Sequence, residues 1–182
     1  MVENLNDLQM FVKRIENEYR NRVAYRYLAD DSLIDKTFAE LAKDIYAVAS
    51  WLIKNGYSGK HIAIIGSTSY YWVTAFLGIL CSANIAVPVD KMLSSKEMLN
   101  ILVMGDVDTV FVSEEFAHLS EPIKQSNSQI TKVICFADEC FDEILRTEEV
   151  SLPNIDPEVM AEILFTSGTT GVSKGVMISQ KN

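Results

Sequence analysis

No charged residue occurs between Ile62 and Val89. On length alone such a run could cross a bilayer, so the residues that interrupt it decide the fold. Gly66-Ser67-Thr68-Ser69 breaks it early, and Ser82, Asn84 and Pro88 punctuate its end. These polar breaks argue against a membrane span. The run reads as strand, helix, strand, buried in a soluble α/β core. His61 to Gly66 is the first strand. Trp72, Ala75, Phe76, Ile79 and Leu80 form the apolar stripe of the helix. Asn84 to Asp90 is a strand that ends in a loop.

The flanking sequence continues the alternation. Leu8, Phe11, Val12, Ile15 and Tyr19 recur at helical spacing, which predicts an amphipathic helix in the first twenty residues. Val23 to Tyr27 is a short strand. Thr37 and Glu40 have capping-box spacing, so a helix starts there and runs to Asn55-Gly56. Ser94 and Glu97 repeat the signal for a helix ending at Gly105. Thr109 to Val112 and Lys132 to Phe136 are strands. A helix is expected from about Glu115 to Gln125, with Pro122 weakening its centre. Met160 to Phe165 is a further strand.

Short apolar strands alternating with helices imply an α/β fold, a mostly parallel sheet with helices on both faces. Residues 1–150 are expected to form an α/β subdomain. Residues 151–182 are expected to hold a connection, Leu152 to Pro157, and then the start of an incomplete neighbouring subdomain.

The formal net charge of −9 argues against a nucleic-acid binder, which needs a basic face. It does not exclude a small anion held in one local nest of backbone N–H groups. Cys81, Cys135 and Cys140 are odd in number and irregularly spaced, matching neither a disulfide framework nor a zinc site. They read as buried, reduced thiols of a cytoplasmic protein. His61 and His118 are single and far apart and read as bland.

Chemistry concentrates in Thr166-Ser167-Gly168-Thr169-Thr170-Gly171-Val172-Ser173-Lys174-Gly175. The glycines let a ligand approach the main chain closely. Four hydroxyls and one lysine add short donors and a positive charge. Together they suit a polyphosphate. Lys174 leads into Gly175-Val-Met-Ile178, a strand-like run, whereas a Walker A lysine leads into a helix. The loop is therefore expected at the tip of a β-hairpin.

The order of these residues resembles the phosphate-binding signature of the adenylate-forming superfamily, which includes acyl-CoA synthetases, luciferases and peptide-synthetase adenylation domains. Ser173 replaces the usual proline. Ser179-Gln180-Lys181-Asn182 matches the signature's Ser-His-x-Asn ending, with Gln180 in place of histidine. Thr37 to Leu41 and Cys81 to Asp90 resemble two earlier core motifs, with Asn84 where glycine is typical. Ile64 to Trp72 resembles the segment between them as long-chain fatty-acid–CoA ligases write it, with Ser67-Thr68 for their usual Glu-Asn.

The resemblance implies that a carboxylate attacks Mg-ATP to give an acyl-adenylate, which coenzyme A then captures as a thioester. By that resemblance Thr166, Ser167, Gly168, Thr169, Thr170, Gly171 and Lys174 hold the β- and γ-phosphates, and Thr166 helps ligate Mg²⁺. The family's adenine-binding segment, its ribose-binding aspartate and its catalytic lysine have no counterpart before Asn182. The chain is thus expected to be an N-terminal fragment that is inactive alone, with open strand edges as a route to a homodimer. Two alternatives stay open: another adenylate-former, such as a peptide-synthetase domain or an aryl-CoA ligase, and a stand-alone nucleotide-binding or interaction module.

Overall fold

The structure, a computed structural model, describes residues 5–29, 31–166 and 174–182. It opens with helix α1 (Leu8–Tyr19), followed by an antiparallel pair, β1 (Val23–Ala29) and β2 (Ser32–Thr37). Then come α2 (Phe38–Lys54), β3 (His61–Ile65), α3 (Tyr70–Cys81), β4 (Ile85–Val89), α4 (Ser95–Met104) and β5 (Thr109–Val112). A 3-10 turn (Glu114–Leu119) runs into α5 (Ser120–Ser126), and β6 (Lys132–Cys135) and α6 (Glu139–Leu145) follow. β7 (Met160–Thr166) and β8 (Lys174–Ser179) close the chain. The expected α/β fold is present.

The main sheet has the order β6-β5-β3-β4-β7-β8. Its first five strands are parallel and β8 is antiparallel to β7. Side-chain alternation divides the core. Ile62 and Ile64 of β3 face α2, α3 and α6, together with Phe111 and Phe141. Ala63 and Ile65 face α4 and α5, together with Val87, Val110 and Leu102. A sheet covered on both faces has no use for charge inside its strands.

α3 explains the uncharged run. One side packs on the sheet through Ala75, Ile79 and Leu80. The other side packs on α1 and α2 through Tyr70, Leu77 and Cys81. A helix buried on both sides is apolar all round. Gly78 makes the α2 approach possible, because a Cβ there would stand 2.6 Å from Cγ1 of Val48. Among the described residues no helix is long and apolar enough to cross a membrane.

Both capping boxes form. Glu40 N–H donates to Thr37 Oγ1 while Glu40 accepts from Thr37 N–H, and Ser94 and Glu97 do the same for α4. The helix expected from about Glu115 to Gln125 is instead a 3-10 turn followed by a short α-helix. Pro122 falls in the first turn of α5, where its missing N–H is not needed, so it does not weaken a helix centre. Cys81 and Cys135 are buried and Cys140 is half-buried; all three are free thiols.

Candidate functional site

β7 and β8 pair from Met160↔Ser179 to Thr166↔Lys174. The apolar Ile163-Leu164-Phe165 run against Val176-Met177-Ile178 favours strands, and Gly175 sits opposite Phe165. A Cβ on Gly175 would stand 3.3 Å from the Phe165 ring, so the glycine leaves room for that ring. The expected hairpin is therefore present. Its tip residues Ser167, Gly168, Thr169, Thr170, Gly171, Val172 and Ser173 lie outside the described residues. Thr166 and Lys174 flank them as the last rung of the ladder, and both are exposed. A hydroxyl and an ammonium thus stand on facing strands at one rim.

That rim is the carboxyl end of the parallel strands. The connection after β3 crosses one face of the sheet as α3. Those after β4 and β5 cross the other face as α4 and α5. Open α/β sheets bind ligands in the crevice outside their carboxyl ends where connections part in this way. Here a cleft lies between the strand ends and the hairpin, lined by Gly66, Thr68, Trp72, Asp90, Lys91 and Phe165.

Polar groups from three strand ends meet beside it. The N–H and hydroxyl of Ser67 both donate to Glu115 Oε1, at 3.0 and 2.7 Å. Lys91 Nζ donates to Ser67 Oγ at 2.8 Å, and Ser113 Oγ donates to Glu115 at 3.3 Å. The Ser67 hydroxyl bond is the largest of the effects that hold the Glu115 carboxyl below its ordinary range; the Ser67 N–H, Ser113 and the charge of Lys91 act the same way. Gly66 lets β3 and β5 end this close, since a Cβ there would stand 2.5 Å from Ser113 Oγ. Glu115 thus brings a carboxylate to the end of β3 from the far side of β5. Sequence reading did not single out Lys91, Ser113 or Glu115 as a group; their convergence is a product of topology.

The far end of the hairpin is a turn. Ser179 N–H and Oγ donate to Asn182 Oδ1, at 3.2 and 2.9 Å. Lys181 pairs with Glu158. Gln180 accepts from Leu8 N–H at 2.9 Å and donates to Leu80 O at 3.0 Å. Asn84, the other departure, is buried: its Oδ1 accepts from Lys60 N–H at 2.9 Å, and its Nδ2 donates to Ser82 Oγ at 2.9 Å. Asp90 forms a local turn by accepting from Met92 N–H at 2.9 Å.

Among the described residues no three His, Cys, Asp or Glu side chains converge to hold a metal ion. Thr166 offers one neutral oxygen. Magnesium prefers an octahedron of oxygens, so an ion at this rim would bring phosphate and water oxygens with it. An exposed lysine and hydroxyl at the same rim fit that arrangement.

Residues 12–182 match the AMP-binding enzyme family, and the chain belongs to it. The long-chain-fatty-acid–CoA ligase FadD15 of Mycobacterium tuberculosis is 27% identical over 184 residues, covering 92% of this chain and 30% of the relative. The nonribosomal peptide synthetase sidC of Aspergillus fumigatus is 27% identical over 138 residues, covering 74% of this chain and 3% of the relative. Among solved structures, a putative long-chain-fatty-acid CoA ligase from Rhodopseudomonas palustris superposes with a TM-score of 0.84 at 18% identity, covering 99% of this chain and 46% of that one. The chain spans 28% to 38% of the length of three CoA-ligase relatives it matches. Its fold is that of the N-terminal part of adenylate-forming enzymes.

Proposed function

We propose that this chain is the N-terminal part of an ATP-dependent acyl-CoA synthetase that joins a fatty acid to coenzyme A through an acyl-adenylate. The observation that carries this reading is the Thr166–Lys174 rung. It brackets the Thr-Ser-Gly-Thr-Thr-Gly signature on a firm base and sets a hydroxyl and a cation on one rim.

In the first half-reaction a carboxylate oxygen bonds to the α-phosphorus of ATP, and the bond to pyrophosphate breaks. In the second the sulfur of coenzyme A bonds to the acyl carbon, and AMP leaves. This chain acts on the leaving group. Donors of residues 166–171 and the Lys174 ammonium hold the β- and γ-phosphates and offset the charge that gathers there. Thr166 would help hold Mg²⁺ there, and the ion would supply further positive charge when bound. The match to FadD15 supports a fatty acid as the carboxylate. The match to sidC supports a second reading, amino-acid adenylation on the same machinery. By itself the chain holds MgATP through its phosphates and completes neither half-reaction.

Calorimetric titration with MgATP and with pyrophosphate tests the reading. Lys174→Ala should weaken both by roughly 10- to 100-fold, the value of a charge-assisted contact, at an unchanged urea midpoint. Equal affinities for the two proteins, or none in the native chain, would overturn it. Acyl-AMP formed by the chain alone would overturn its expected inactivity.

A further inference from the structure

The first N–H groups of a helix and its last carbonyls lack partners within the helix. At α1 and α3 one side chain meets both needs. Oε1 of Gln180 takes the N–H of Leu8, the first residue of α1, and Nε2 of Gln180 gives a hydrogen to the carbonyl of Leu80, in the last turn of α3. Gln9 reinforces the junction by donating to Cys81 O at 2.7 Å and Pro153 O at 2.9 Å. The start of α1, the end of α3, the connection before β7 and the foot of the β7–β8 hairpin are thereby tied together.

The hairpin packs into the core through Ala161 on one face of the sheet and Ile163 on the other, but its backbone bridges to the sheet are few. Among the described residues β7 joins β4 through a single register pair, Ala86↔Glu162. Its foot is at Gln180 and the last rung before its tip is at Lys174, separated by a strand of about 20 Å at ~3.4 Å per residue. A small change of angle at the foot is magnified at the tip.

We propose that Gln180 is a positioning residue for the nucleotide: it fixes the tilt of the hairpin, and with it the place of Thr166 and Lys174 relative to the rim of Ser67 and Lys91. This rests on the reading of the loop as a phosphate site. The position requires an acceptor and a donor on one side chain at the same time. An amide provides both at any pH. A neutral imidazole provides both, one on each nitrogen, but an imidazolium has two donors and would turn one toward the Leu8 N–H. Glutamine in place of the signature's histidine makes the tie independent of pH. Of the titratable groups on the elements that meet here, those next to the junction in the chain are Asp7, the N-cap of α1, Cys81, the last residue of α3, Glu162 on β7, and Glu158 paired with Lys181.

The test compares the native chain with Gln180→Ala and Gln180→His at about pH 5.5 and about pH 8, on either side of the ordinary imidazole value near 6.5. It reads amide exchange protection and MgATP affinity, each relative to the native chain at the same pH. Gln180→Ala should lose roughly tenfold or more in β7 and β8 protection and in affinity at both pH values, with α2 and β3 amides unchanged. Gln180→His should match the native chain at the higher pH and the alanine variant at the lower. Native-like exchange in Gln180→Ala, or a histidine variant indifferent to pH, would overturn the proposal. Exchange behaving as expected with no MgATP bound by the native chain would instead overturn the loop reading, and would show Gln180 to be an anchor without a nucleotide role.

Discussion

The hydroxyl of Tyr70 donates to Oδ2 of Asp44 at 2.6 Å in the buried layer between α3 and α2. Lys36 Nζ reaches the same oxygen at 3.5 Å and lies 5.1 Å from the centre of the Tyr70 ring. Tyr27 stacks on that ring at 5.8 Å. One carboxylate thus joins the β1–β2 hairpin to two helices. Burial, and then the bond to Asp44, push the Tyr70 hydroxyl well above its ordinary range, so it remains a donor.

Asp44→Ala should therefore cost about 1–3 kcal/mol, the penalty for leaving a buried hydroxyl without a partner. Asp44→Asn keeps an acceptor in place and should cost less than half of that. Urea unfolding of the two variants measures the difference. Equal losses would show that the Tyr70 contact does not decide stability here.

Asn84 makes the opposite point about the typical residue. Glycine is usual at this position, but the positive φ of this turn, 57°, belongs to Ala83. Asn84→Gly gains no needed freedom and leaves the Lys60 N–H without its acceptor. The variant should lose about 1–3 kcal/mol, with faster amide exchange at Lys60. A stabilised variant would contradict this account.

Glu162 carries a pH signature. Burial raises its pKa above the ordinary 4.5. The folded chain then holds that proton more tightly than the unfolded chain. This contribution is favourable below 4.5 and is lost as pH rises through the raised folded value. Glu162→Gln should raise the melting temperature at pH 7, on the order of 2 °C, and the gain should vanish at about pH 4. Glu40, Glu97 and Glu115 have lowered pKa values and weaken the fold as pH falls. The comparison is therefore variant against native at each pH. A gain that persists at pH 4 would rule out relief of a buried charge as its cause.

Where the sequence spoke clearly, it did so through local chemistry. Thr37 with Glu40 and Ser94 with Glu97 announced two helix starts, and the strand-like Met160–Phe165 and Gly175–Ile178 on either side of the glycine and hydroxyl run announced the hairpin. β2 was not legible: Ser32-Leu-Ile-Asp-Lys-Thr37 has no buried apolar face, and Leu33 is 62% exposed. α6 was hidden because only Phe141 and Ile144 are buried in an acidic seven-residue segment. Ser67, Lys91 and Glu115 belong to three separate strand ends, and no local pattern links them. Gln180 was visible only as a departure from a motif. Its two partners come from helices far away in the chain.

The lone rung between Ala86 and Glu162 also has a mechanical meaning. A load on the sheet concentrates where the fewest backbone bonds share it, and among the described residues that place is the seam between β4 and β7. Ala161 and Ile163 pack into the core on the two faces of the sheet beside that seam, so side-chain packing more than backbone bridging holds β7 to β4.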